Sequence, residues 1–131
     1  MLLSTAVLCL AANVYYESRG EPTEGQLAVA LVTMNRAHLD ERNVCKVVLK
    51  PKQFSWTISA VNNGKIKKSY EPKDAKAWAN SMMVAFITLN GMMPDITKGS
   101  DHYHASYVHP KWRHAMVATR VIGNHFFYKS T

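Results

Sequence analysis

Acidic residues are scarce in this chain: 9 Asp and Glu stand against 16 Lys and Arg, giving a formal charge of +7 over 131 residues. That deficit implies an anionic partner, for which nucleic acid, a phospholipid surface and an acidic cell-wall polymer all qualify. An arginine-rich helix and an interleaved basic–aromatic motif are missing too, which argues against nucleic acid. Cysteine is limited to Cys9 and Cys45, too few for a disulfide framework or a metal site. Both are read as small buried apolar residues, with one bridge open to them in an oxidising compartment. No apolar run is long enough to span a bilayer. The uncharged opening, Met1 to Tyr16, is short, is interrupted by Ser4, Thr5 and Asn13, and lacks the basic start of a signal peptide, so a core helix is expected there. Internal repeats and linkers are absent, and the length fits one domain, residues 1–131. An apolar content of 47% excludes disorder.

What is present reads as helices first and a small sheet last, an α+β arrangement. Leu2 to Tyr16 forms the first helix, stopped by Gly20. Thr23 to Gln26 fits a capping box that opens a second helix, largely buried through Leu27, Leu31 and Met34 and ending near Asn35-Arg36. Asn43 caps a short third helix through Leu49, ended by Pro51. Lys52 to Thr57 mixes aromatics with amides and hydroxyls, as sugar-binding clefts do and as an anchored loop also can. Val61 to Tyr70 is rich in Asn, Gly and Lys and is expected to be an exposed loop. Pro72 opens the longest helix, with Ala75, Trp78, Met82, Ala85, Phe86 and Leu89 on one face and Asn90-Gly91 at its close. Tyr103, Ala105 and Tyr107 alternate with polar residues at a strand period, and Arg120 to Tyr128 reads as a hairpin about Gly123-Asn124.

The candidate for chemistry is Glu17, in the run Tyr16-Glu17-Ser18-Arg19-Gly20-Glu21-Pro22. A glutamate in the last turn of a buried helix is partly dehydrated and lies near backbone carbonyls. Both effects raise its pKa. A carboxylic acid that keeps its proton near neutral pH can protonate a glycosidic oxygen. Arg19 opposes that shift if it pairs with Glu17, and a solvated Glu17–Arg19 pair is the plain alternative.

With these residues in hand, the sequence resembles the SleB-type cell wall hydrolases, a family that includes spore-cortex lytic enzymes and phage endolysins. The resemblance is carried by Tyr16 to Pro22, Gly25-Gln26, Val32 to Arg36, Val44-Cys45-Lys46-Val47-Val48 with Gln53-Phe54-Ser55, His102-Tyr103-His104, and Ile122 to Tyr128. It implies a lysozyme-like domain that needs no cofactor. It also implies cleavage of peptidoglycan glycan strands at the bacterial cell wall, with Glu17 as acid and then as base, closing a 1,6-anhydro ring. Gln53, Phe54 and Ser55 would line the glycan cleft, with Tyr103 and His104 across it and Tyr128 nearby; Arg36 would orient Glu17 or a loop. An upstream segment is expected to supply export. A compact basic catalytic domain, expected to be monomeric, suits a phage lysis enzyme. A hydrolytic muramidase would instead need a second carboxylate, for which Asp101 and then Asp95 are the candidates. A third reading builds a zinc site from His102 and His104 with His109, His114 or His125 and cleaves the amide to the stem peptide. The last is a basic module that binds glycan or membrane without chemistry.

Overall fold

Helix α1 (Ala6–Ser18) is the axis of the computed structural model, which describes residues 1–131. Cys9 through Tyr15 are all buried, so this helix meets protein on every side. The absence of charge from Ala6 to Tyr16 and the small residues Cys9, Ala11 and Ala12 allow that close surround. Helices α2 (Thr23–Arg36), α3 (Val44–Leu49) and α5 (Ala75–Leu89) pack around it. Leu10 and Val14 of α1 share one core with Ala30 and Met34 of α2, Val44 and Val48 of α3, and Val84 and Ala85 of α5. A short α4 (Ser55–Ala60) leads into a two-stranded hairpin, β1 (Val61–Asn62) and β2 (Lys65–Ile66).

The last third forms a three-stranded antiparallel sheet of β3 (His102–Ala105), β4 (Val117–Ile122) and β5 (His125–Lys129), in the order β3-β5-β4. One face of it lies on α2, where Ile122 and Phe127 meet Ala28 and Val32, with Tyr103 alongside. Thus α2 is sandwiched between α1 and the sheet. The opposite face carries an aromatic cluster in which His104 stacks on Tyr128 at 5.3 Å and Trp112 meets Tyr128 edge-on at 5.4 Å. The β4–β5 turn is the expected Gly123-Asn124 turn, with Gly123 at φ +56°.

Several expectations shift. Helix α1 starts at Ala6, capped by the Thr5 hydroxyl, which accepts from Leu8 N at 3.3 Å. The residues before it pair instead with the β1–β2 hairpin: Leu3 N donates to Gly64 O at 2.9 Å and Ile66 N to Met1 O at 2.8 Å. Val61 to Tyr70 is therefore not a structureless loop. Asn63 and Gly64, at φ +50° and +72°, make the tight turn of that hairpin, and Ile66 is buried beneath it. The capping box does not form, because Thr23 is already helical and Pro22 is the N-cap. Gln26 holds the entry anyway, its Nε2 donating to Glu21 O at 3.0 Å. Helix α5 begins at Ala75, not at Pro72, with Asp74 accepting from Ala77 N at 3.0 Å. Its core face runs through Ser81, Val84, Ala85 and Thr88, and Phe86 points outward. Asn43 makes no side-chain cap for α3; its amide donates to Ala37 O at 3.3 Å. Cys9 and Cys45 are joined in a disulfide that ties α1 to α3 across 36 residues of sequence.

The register of β5 buries Phe127 completely and leaves its neighbour Phe126 36% exposed on the other face. Phe127→Ala is expected to cost about 3–5 kcal/mol of stability in urea unfolding, and Phe126→Ala less than half of that. Equal losses, or the reverse order, would mean that the strand faces the other way.

Candidate active site

Glu17 sits in the last turn of α1, where the helix runs out beneath the β3–β5 end of the sheet. Tyr103 of β3 donates its hydroxyl to Glu17 Oε1 at 2.6 Å, joining residues 86 positions apart. Burial is the main influence on the Glu17 carboxyl and lifts its pKa above the ordinary 4.5. The Tyr103 hydrogen bond and the positive fields of His125 and Arg36 work the other way without cancelling it. Tyr103 in turn is held firmly as the phenol, first by burial and then by the neighbouring Glu17 charge. A hydroxyl so held donates to the ionised Glu17 carboxylate.

The groove above Glu17 encloses about 440 Å³. One wall is the end of α1 and the turn after it, from Tyr16 to Glu21; the other is Ala105, Tyr107, Asn124 and His125 from the sheet. Tyr16 is stiffened by Trp56 of α4, whose ring stacks on it at 4.7 Å and whose Nε1 donates to Asn13 Oδ1 at 2.8 Å. The two walls are clasped by Glu21. Its Oε1 accepts from Asn124 N at 2.9 Å and from His125 Nδ1 at 3.0 Å, and its Oε2 accepts from Asn124 Nδ2 at 3.3 Å. Both members of the Glu21–His125 pair are nearly buried, with side chains 10% and 9% exposed. A Cβ at Gly123 would meet Glu21 Oε1 at 3.1 Å, so the turn needs glycine for this approach as well as for its φ. The His125 ring stands edge-on to Tyr103 at 5.3 Å, which links the clasp to the group that holds Glu17.

The residues expected around Glu17 divide. Tyr103 touches it. Arg36 lies close enough to bias it; the guanidinium rests 5.3 Å over the Phe54 ring and donates from Nε to Asp101 O at 2.5 Å. Phe54 is a buried support beneath Arg36 and does not line the groove. Gln53 lines a separate cavity of about 380 Å³ with Arg36, Asp101 and His102, and Ser55 is exposed at the start of α4. His104 and Tyr128 are bonded to each other at 2.8 Å on the far face of the sheet, because the strand period that turns Tyr103 inward turns them outward. They do not face Glu17 across a cleft. The Asp101 carboxylate is committed to His102 and Ser130, and these bonds hold its pKa low against the effect of burial. Asp95 is likewise held below its usual range; burial would raise it, but Thr97, Asn35 and Gly99 all donate to it. Neither carboxylate lines the groove.

Arg19 does not pair with Glu17. It folds back on its own helix, with Nη1 donating to Tyr15 O at 3.2 Å and the guanidinium 4.6 Å above the Tyr15 ring. The histidines do not converge: both ring nitrogens of His104 are bonded, His102 faces Asp101, and His125 is on the opposite face with Glu21. No three His, Cys, Asp or Glu side chains are grouped to hold a metal ion, which takes away the donor set that the amidase reading required. No helix is long and apolar enough to cross a membrane. Tyr16, Glu21, Tyr107 and Asn124 were not assigned to the groove from sequence, and His125 was considered only as a zinc ligand. The signals that could have found them are the four-residue step from Glu17 to Glu21 and the Gly123-Asn124 turn, which sets its next residue at a hairpin tip.

The family model for cell wall hydrolases matches residues 20–128. The chain belongs to that family. Glu17 lies three residues before the matched span. A spore cortex-lytic enzyme of Oceanobacillus iheyensis is 32% identical over 122 residues, covering 92% of this chain and 40% of that protein. One from Bacillus subtilis is 44% identical over 59 residues, which is 44% of this chain and 18% of the relative. The chain thus spans well under half the length of the curated relatives it matches. Among solved structures, the catalytic domain of the germination-specific lytic transglycosylase SleB from Bacillus anthracis superposes with a TM-score of 0.71 at 28% identity, covering 95% of this chain and 93% of that one. The catalytic domain of the Bacillus cereus SleB protein gives 0.66 at 26%, covering 95% and 90%. The lysozyme-like α+β domain is therefore shared with SleB over nearly its full length.

A buried carboxyl with a raised pKa has a consequence for stability. Folding favours the protonated Glu17, so its contribution is present below the unfolded-state pKa and is lost as pH rises through the folded value. Glu17→Gln cannot ionise and keeps an oxygen for Tyr103 to donate to. Its melting temperature is expected to exceed that of the parent at neutral pH, with the gap closing as pH falls toward 4.5. A gap that grows on acidification would show that Glu17 has the opposite shift.

Proposed function

We propose that this cell wall hydrolase cleaves peptidoglycan glycan strands between N-acetylmuramic acid and N-acetylglucosamine as a lytic transglycosylase, with Glu17 as its single acid and base. The observation that carries this reading is a carboxyl group with a burial-raised pKa at the floor of an open groove. A volume of about 440 Å³ falls within the usual size of small-ligand sites, about 300–1,000 Å³.

Protonated Glu17 gives its proton to the bridging oxygen while the C1–O bond breaks, leaving positive charge on the muramic ring. The Glu17 carboxylate then takes the proton of the muramic 6-hydroxyl, and O6 bonds to C1 to close the 1,6-anhydro ring. Between these steps the carboxylate is stabilised by the Tyr103 hydroxyl and the field of Arg36. That opposition has a use: burial raises the proton affinity of Glu17, which favours it as donor, and its polar neighbours make the ionised form accessible enough to act as base.

The route without a second carboxylate is favoured by how the other acids are employed. Glu21 is the only other acid lining the groove, and its oxygens are taken by Asn124 and His125. Asp101 and Asp95 are bonded elsewhere. The likeness to a solved lytic transglycosylase domain supports the same choice. The charge of +7 suits attraction to an anionic wall, in keeping with a lysis role such as that of a phage endolysin.

Glu17→Gln is nearly isosteric and cannot shuttle a proton, so release of soluble fragments from purified peptidoglycan is expected to fall by at least about 100-fold, the scale of general acid–base catalysis. Mass spectrometry of the parent's products is expected to give 1,6-anhydromuramic ends. Reducing muramic ends would indicate hydrolysis, and freed stem peptides an amidase; either would contradict the proposal.

A further inference from the structure

A second cavity, of about 490 Å³, opens beside the first, and Arg19 lines both. It lies between the α1–α2 turn and the first turns of α5, with Gln26, Asp74, Lys76, Asn80 and Met83 around it. None of these residues serves the proton transfers described above. We propose that this cavity receives the peptide stem that branches from the muramic acid, and that Arg19 and Lys76 recognise its carboxylates. The inference rests on the glycan-cleaving reading of the adjoining groove.

Continuity is the first argument. A strand lying in the Glu17 groove can send its side branch only where space adjoins, and the shared Arg19 marks such a junction. Charge is the second. An N-acetylated sugar backbone whose lactyl groups are amidated is uncharged and gives two cations nothing to pair with, whereas a stem peptide carries free carboxylates. Arg19 is already positioned for them: its guanidinium is held over Tyr15 and spends one N–H on Tyr15 O, leaving other donors for a ligand. Asp74 is the one acid in the cavity wall, and its Oδ1 is turned to the Ala77 N–H as the cap of α5. Polarity fits as well. Asn80 donates Nδ2 to Gln26 Oε1 at 2.9 Å, and Gln26 is tied to Glu21 O, so the Asn80 side chain is fixed. The Asn80 amide retains one N–H and its carbonyl, which matches the donor and acceptor that an extended peptide backbone presents. Met83, 49% exposed, adds an apolar rim for small side chains such as alanine methyls.

Lys76 lies on the exposed face of α5 and can be changed without touching the core or Glu17. Cleavage is measured on two substrates: peptidoglycan strands with stems intact, and the same strands stripped of stems by an amidase, with the lactyl carboxylates so exposed converted to methylamides. The parent is expected to prefer intact strands. Lys76→Gln and Lys76→Glu are expected to lower kcat/KM on intact strands by about three- to tenfold, mainly through KM, and to leave stripped strands unaffected. Equal parental activity on both substrates, or an equal loss on both in the variants, would overturn the subsite. A titration of the Glu17→Gln protein with a synthetic stem tripeptide gives a readout independent of cleavage. Amide chemical-shift changes centred on Arg19, Lys76 and Asn80 support the subsite, and their absence overturns it. If the parent cleaves neither substrate, the glycan-cleaving reading fails, and the titration still decides whether the cavity binds peptide.

Discussion

The hydrogen bond from Tyr103 to Glu17 is where the two halves of this molecule meet. Glu17 ends the central helix and Tyr103 belongs to a strand formed 86 residues later. Neither residue is in its working state alone. Without the sheet above it, Glu17 would lie at an open helix end in water, with an ordinary carboxylate's properties. Without the helix below it, Tyr103 would be an exposed phenol on a three-stranded sheet. Packing the sheet on α2, through Phe127 and Ile122 against Ala28 and Val32, brings the two together and removes the water. The energy that dries the site is therefore supplied by apolar burial next to it, not by the site's own polar contacts.

The Glu21 clasp performs a related task at the other end of the same interface. A carboxylate that accepts from Asn124 and His125 holds the tip of the β4–β5 hairpin against the α1–α2 turn, so both walls of the groove keep their spacing. Two acids four residues apart thus take different parts according to their surroundings. Burial keeps Glu17 ready to hold a proton, while Glu21 is surrounded by donors and serves as an acceptor. A groove with a rigid rim and one carboxyl of raised pKa suits the proposed reaction, in which the substrate provides its own nucleophile.

Much of the helical half was legible in the sequence because its signals are local. The charge-free run ending at Tyr16, the stripe in Leu27, Leu31 and Met34, the Asn90-Gly91 helix stop and the Gly123-Asn124 turn each depend on neighbours in the chain. The early strand-like pairing of residues 1–3 was not legible, because its partner is the hairpin at residues 61–66 and apolar character does not distinguish a strand from the start of a helix. The inner and outer faces of β3 illustrate the same limit. Alternation separates Tyr103 from His102 and His104, but only the packing of α2 decides which set meets Glu17. Phe54 and Gln53 belong to a shared motif and still sit outside the groove, as a motif records what is kept together and not what each member touches. Arg19 is next but one to Glu17 in sequence, and helix geometry turns it back toward Tyr15 four residues earlier.

The central claim is that burial, opposed but not overcome by Tyr103, Arg36 and His125, keeps Glu17 protonated above the normal carboxylate range. Direct titration of the Glu17 carboxyl carbon by ¹³C NMR, in the parent and in Tyr103→Phe, tests it. The account predicts a parental midpoint above 4.5 and a further upward move when the phenol that favours the charged form is removed. A parental midpoint at or below 4.5, or a downward move in Tyr103→Phe, would contradict it.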